Sequence, residues 1–167
     1  MIRVAICDDN KVFVNNMSQA VKSEFKRQNN EDIELETYIS SELMYQHHLI
    51  KPFDLVFLDI DMPEVTGMEL AAKLEEQNPQ AIVIFISNHE EAVFEAIHYK
   101  PFRFIRKAYL QAELSEALQS LKKQKEKRAR FITLDVKEQQ IVLPVKEIVY
   151  IESQAPVSYT HLRAHET

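Results

Sequence analysis

The sequence predicts a doubly wound α/β domain on a five-stranded parallel sheet, followed by a C-terminal β-rich fragment. Three observations predict it. Short apolar runs lack polar alternation, as strands buried on both faces do. Segments of helical period separate them. Several of the runs also end on an acid, a hydroxyl or an amine, the groups a ligand site at the carboxyl edge of such a sheet would need.

The elements follow in order. Ile2 to Cys7 reads as a buried strand ending at Asp8-Asp9. Val14, Met17, Val21 and Phe25 then recur at helical spacing. Asn29-Asn30 breaks that helix, and Ile33, Leu35, Thr37 and Ile39 alternate as a second strand. Ser40 or Ser41 is placed to cap a short helix toward Ile50. After Pro52, Leu55-Val56-Phe57-Leu58 is a continuous apolar strand ending at Asp59. Met68 to Glu76 is helical, and Ala81 to Ile86 is an apolar strand ending at Ser87. Glu90 to His98 reads as a helix stopped by Lys100-Pro101. Phe102 to Arg106 is the fifth strand, ending at Lys107, and Leu110, Leu114, Ala117, Leu118 and Leu121 mark the last helix. The α/β domain thus occupies residues 1–123.

The basic stretch 124–130 reads as a solvated helix end or linker. Strand-like runs follow at Phe131 to Leu134, Gln140 to Val145 and Ile148 to Glu152, which open a second domain over 131–154. Residues 155–167 show neither periodicity and are expected to be a non-native tail. His161 and His165 have helical metal-ligand spacing, but in an unpatterned segment they read as incidental.

Composition excludes some functions. The formal net charge of -6 gives no general attraction to nucleic acid or anionic membranes. A single cysteine, Cys7, forbids an intramolecular disulfide and suits a reducing cytoplasm. No stretch approaches the ~20 apolar residues that span a bilayer, and the N-terminus is unlike a secretory signal. One glycine, Gly67, argues against Gly-rich phosphate loops, so phosphate would have to be handled by side chains and metal. Cys7 reads as a small core residue, and His47, His48 and His89 as surface residues.

The strand ends carry the chemistry. Asp8, Asp9, Asp59, Ser87 and Lys107 converge if the sheet forms as read. Clustered carboxylates repel one another and recruit a cation; a hard divalent ion with oxygen ligands, such as Mg2+, fits them. Asp59 is then placed to attack a phosphoryl group as a carboxylate nucleophile. Lys107 would stabilise the transferring charge, and the Ser87 hydroxyl would donate to a phosphate oxygen.

Leu55 to Pro63, with Gly67 following, resembles the phosphoacceptor segment of two-component response regulators. Asp8-Asp9 resembles their acidic pair, Ser87 their switch hydroxyl, Phe104 their switch aromatic and Lys107 their lysine. The resemblance implies a flavodoxin-like receiver phosphorylated on Asp59 by a histidine kinase. It implies Mg2+ bound by Asp9 directly, Asp8 through water, Asp59, and the backbone carbonyl of Asp61. Such a domain is a signalling module rather than an enzyme, with self-catalysed phosphoryl transfer and slow autodephosphorylation only, and homodimer formation on phosphorylation is one outcome it allows. One departure is Ala108, where the family usually has proline after its lysine; a cis bond there would cost about 3–4 kcal/mol. Lys100-Pro101 does not supply the missing pair, because it precedes the fifth strand.

Residues 131–154, with Ile148 to Ser153, resemble the opening of LytTR-type DNA-binding domains. That implies transcriptional control and promoter DNA as partner of a complete parent protein, with no specific DNA binding expected of this chain and no membrane partner. Two other readings stand beside the leading one. A haloacid-dehalogenase-type phosphatase would use Asp59 and Asp61 as nucleophile and acid, although its acidic pair should follow the nucleophile rather than precede it. A degenerate receiver acting only by interaction would not need the full acidic set.

Overall fold

The computed structural model describes residues 1–28, 32–63, 65–89, 91–128, 131–136, 139–145, 148–154 and 159–164. Asn29-Asn30, Glu90, His165 and residues 155–158, all used in the sequence reading, lie outside them. The chain divides into two units, Met1–Leu118 and Gln119–Thr167.

The first unit is the doubly wound sheet. Strands β1 (Ile2–Cys7), β2 (Ile33–Tyr38), β3 (Leu55–Asp59), β4 (Ile82–Ser87) and β5 (Arg103–Arg106) run parallel in the order β2-β1-β3-β4-β5. Helices α1 (Lys11–Arg27), α2 (Ser41–Ile50), α3 (Gly67–Gln77), α4 (Ala92–Ala96) and α5 (Leu110–Arg128) connect or follow them. Every residue of β3 is buried, which explains why it reads as an unbroken apolar run. The α1 residues at helical spacing, Val14, Met17, Val21 and Phe25, are buried, as are Met68, Leu70, Ala71 and Leu74 of α3.

Helix starts are set by caps. The Asn10 side chain accepts from the backbone N–H groups of Val12 and Phe13, Ser40 caps α2 through Leu43 N, and Thr66 forms a capping box with Glu69. Strand β2 is the sheet edge. There Arg3 pairs with Glu34 and Glu36, and Lys51 with Glu34.

Three details depart from the sequence reading, and a fourth concerns the end of the last helix. Strand β2 stops at Tyr38, which is buried, so Ile39 leaves the sheet and lies exposed instead of continuing the alternation. His48 is a core residue: its Nδ1 accepts from the backbone N–H of Phe53, and its ring lies against the Phe53 ring. Helix α4 is short and tightens into a 3-10 turn over Ile97–Tyr99, after which Lys100 takes a left-handed conformation (φ 45°) before Pro101. Helix α5 continues to Arg128, so residues 124–128 are helical, as their Lys, Gln, Glu and Arg favour.

In the second unit β6 (Phe131–Val136) pairs antiparallel with β7 (Gln139–Pro144), and β8 (Ile148–Gln154) with β9 (Tyr159–Ala164). The unpatterned segment therefore contains a strand. Thr160, Leu162 and Ala164 alternate with Tyr159, His161 and Arg163 without a clean polar face, and pairing with β8 rather than periodicity selects the conformation.

Gly67 starts α3 against the end of β3. A Cβ at this position would lie 2.0 Å from the Asp59 carbonyl oxygen and 2.9 Å from its carbonyl carbon, both backbone atoms. Gly67→Ala should therefore destabilise the domain by about 3 kcal/mol, at the upper end of overpacking costs. Urea denaturation checks this; an unchanged or increased stability, as Gly→Ala gives at an ordinary unhindered helix position, would show that the contact relaxes freely.

Candidate functional site

Register brings the strand ends level. Cys7 pairs with Leu58, Asp59 with Ile86, and Ser87 with Arg106. The residues at or just past these positions, Asp8, Asp59, Ser87 and Lys107, consequently open onto one carboxyl edge.

Asp8 is fully buried, and Asp59 is only 3% exposed. The Lys107 ammonium lies between them, 2.6 Å from Asp8 Oδ2 and 3.1 Å from Asp59 Oδ1. Both contacts are ion pairs at hydrogen-bonding distance. Asp8 Oδ1 accepts from the Asn10 backbone N–H at 2.9 Å. Asp9 is exposed, and ligand oxygens of Asp8, Asp9 and Asp59 all lie within 4.8 Å of one another.

The electrostatics follow from that packing. Burial first, and the Asp8 charge second, push the Asp59 carboxyl up to about 6; Lys107 opposes the shift without cancelling it. Burial works against the Lys107 charge, but Asp8 and Asp59 outweigh it and hold its pKa above the ordinary value. The Cys7 thiol is pushed up to about 12 by burial, with Asp8 and Asp59 adding to it, and remains a neutral core group.

One ammonium among three carboxylates leaves excess negative charge. Oxygen-only donors, an unsatisfied lone pair on each buried carboxylate and mutual reach fit a hard cation. The residues present can hold such a metal.

The outer parts of the site are also placed. Ser87 is buried; its hydroxyl donates to Asp61 Oδ2 at 2.9 Å and accepts from the His89 backbone N–H at 2.9 Å. The Asp61 side chain is thus engaged, although the receiver resemblance assigned a role only to its carbonyl. Phe104 is half-buried on β5 and lines an open cavity with Arg103, Glu113, Glu116 and Ala117. Glu113 accepts from the Arg106 backbone N–H and from its guanidinium, both at 2.7 Å, which pins the chain immediately before Lys107. Lys100 lies in the turn after α4, ahead of β5.

Two residues escaped the sequence reading. Phe13 places its ring beneath the Lys107 ammonium, 4.6 Å from ammonium to ring centroid. Its signal was an aromatic one position before the α1 core stripe that starts at Val14. Glu113 carried no signal, because a glutamate in the first turn of a helix is ordinary.

A doubly wound sheet with buried carboxylates and a paired lysine at its carboxyl edge defines a receiver-type α/β domain. The chain belongs to the response regulator receiver domain family, which matches residues 4–119. It is 24% identical over 179 residues to the transcriptional regulatory protein BtsR of Escherichia coli (strain K12), covering 99% of this chain and 71% of BtsR. It is 27% identical over 79 residues to the transcriptional regulatory protein LytR of Staphylococcus aureus (strain N315), covering 47% of this chain and 32% of LytR. The response regulatory domain of mrkE from Klebsiella pneumoniae shares the fold with a TM-score of 0.66 at 21% identity, over 76% of this chain and all of that one. The chain is therefore a receiver of the two-component type with transcriptional regulators among its relatives. Among the described residues no helix is long and apolar enough to cross a membrane.

The raised Asp59 pKa has a stability consequence. A carboxyl with a folded value of about 6 against an ordinary 3.8 holds its proton more tightly when folded. Its contribution is most favourable below about pH 4 and is lost as pH rises through about 6. Metal-free Asp59→Asn should therefore be more stable than wild type above pH 7 by roughly 1–3 kcal/mol, with the gap closing toward pH 4. Thermal denaturation in chelator from pH 4 to 8 measures it; a gap that does not vary with pH would mean that Asp59 carries no charge strain.

Proposed function

We propose that Asp59 is the phosphoacceptor of a response regulator, phosphorylated by a sensor histidine kinase to control transcription. The observation that carries this reading is the buried Asp59 carboxylate beside Lys107 and Asp8, in a crevice able to hold a cation.

Asp59 attacks the phosphorus with a carboxylate oxygen as the phosphorus–nitrogen bond of a phosphohistidine donor, protonated on its other ring nitrogen, breaks; the electron pair of that bond stays on the departing nitrogen, leaving an aspartyl phosphate and a neutral imidazole. Its raised pKa is compatible with this at neutral pH, where the carboxylate form still predominates. Asp8, Asp9, Asp59 and the Asp61 carbonyl would hold Mg2+, which would supply charge neutralisation for the phosphoryl oxygens. Lys107, already within 3.1 Å of Asp59, offers its ammonium to those oxygens. Ser87 then exchanges Asp61 for a phosphoryl oxygen, and Phe104 follows into the space this vacates, shifting a two-state equilibrium. The output is read through the β-rich segment as the opening of a LytTR-type DNA-binding domain, active in the complete parent protein. BtsR and LytR, both named transcriptional regulatory proteins, support transcriptional control as the output.

Beryllofluoride with magnesium should bind wild type and not Asp59→Asn, read by NMR shifts at Ser87 and Lys107. Binding of equal affinity in the variant would remove Asp59 from its role. Lys107→Ala should slow phosphorylation by acetyl phosphate by about 10²–10³-fold, the loss typical of one preorganised charge donor. A rate within threefold of wild type would leave the lysine no part in transfer.

A further inference from the structure

We infer that Phe13 is a positioning residue for Lys107, holding the ammonium over Asp59 by its ring face; this rests on the phosphoacceptor reading of the site. An ammonium has three N–H donors. The Lys107 ammonium meets Asp8 on one side, Asp59 on a second and the Phe13 ring, 4.6 Å to its centroid, on a third. That distance lies well inside the range in which an aromatic face attracts a cation, and the attraction grows as water is excluded. The lysine side chain is only 13% exposed.

Phe13 is itself fixed by the acid that binds the lysine. Asp8 Oδ1 accepts from the Asn10 backbone N–H, and the Asn10 side chain accepts from the Phe13 backbone N–H at 3.1 Å. The circuit closes from Asp8 through Asn10, the start of α1 and the Phe13 ring to Lys107, and back to Asp8 Oδ2. It bears on the lysine from the α1 side, while the Glu113 clasp on Arg106 holds the backbone from the α5 side. With Ala108 next in sequence, the backbone at Lys107 enters a 3-10 turn without a ring to restrict it, and side-chain contacts carry the placement.

A filler role and a positioning role separate by substitution. Phe13→Leu keeps an apolar side chain of similar size and removes the π face, whereas Phe13→Tyr keeps both. With saturating magnesium and acetyl phosphate, the full chain carrying Phe13→Leu should be phosphorylated about five- to tenfold more slowly, and Phe13→Tyr within twofold of wild type. In metal-free protein the Lys107 ε-methylene protons should show an upfield ring-current shift that Phe13→Leu abolishes and Phe13→Tyr retains. A leucine variant at the wild-type rate, or a tyrosine variant as slow as leucine, would overturn the proposal. So would unshifted Lys107 protons in wild type. If none of the three proteins accepts a phosphoryl group, the phosphoacceptor reading fails, and the absence or presence of the ring-current shift still decides whether Phe13 places the lysine.

Discussion

Two buried carboxylates share one buried ammonium, and the site is organised around that imbalance. Asp8 and Asp59 are nearly inaccessible, so each needs a counter-charge, and Lys107 supplies one for both. Buried ion pairs are weak evidence for stability, since desolvation cancels much of the attraction. Here the arrangement costs stability locally: Asp59 retains a carboxyl that resists ionisation even with the lysine at 3.1 Å. The strain is what gives the crevice its appetite for a cation. It persists because β1 and β3 are held by an apolar core that does not depend on the charges.

The parallel sheet was legible because its central strands β3 and β4 are nearly continuous apolar runs, and a run such as Leu55 to Leu58 admits few other readings. Asp8, Asp59 and Ser87 were legible for the same reason, since each is the first polar residue after such a run, whereas Lys107 follows the mixed strand Arg103–Arg106 and was placed by the element order. What stayed hidden was set by tertiary context. His48 reads as a surface histidine from its neighbours, yet it lies inside the core, where the backbone N–H of Phe53 donates to its Nδ1. Ile39 continues an alternation that the edge strand no longer uses, and β9 has no periodic signal because its conformation comes from pairing. Phe13 acts across more than ninety residues of sequence, so an aromatic beside the α1 core stripe does not reveal its partner, and Glu113 acts through a backbone group and leaves no pattern in the sequence.

A chain with one glycine cannot wrap a phosphate in backbone N–H groups, and this one has assembled its polar site from side chains at strand ends. Such a site depends on register. A slip of one residue between β1 and β3 would turn Asp8 away from Asp59, and the alternating directions of a strand allow no partial compensation. The core that enforces register is thus also the device that sets the charge geometry.

The Ser87 hydroxyl carries a single proton, and in this structure it is given to Asp61. Any other oxygen that wants that proton has to outbid a carboxylate already in contact. The resting arrangement is accordingly a made bond, with the hydroxyl oriented by Asp61 and by the His89 N–H before any ligand enters the crevice.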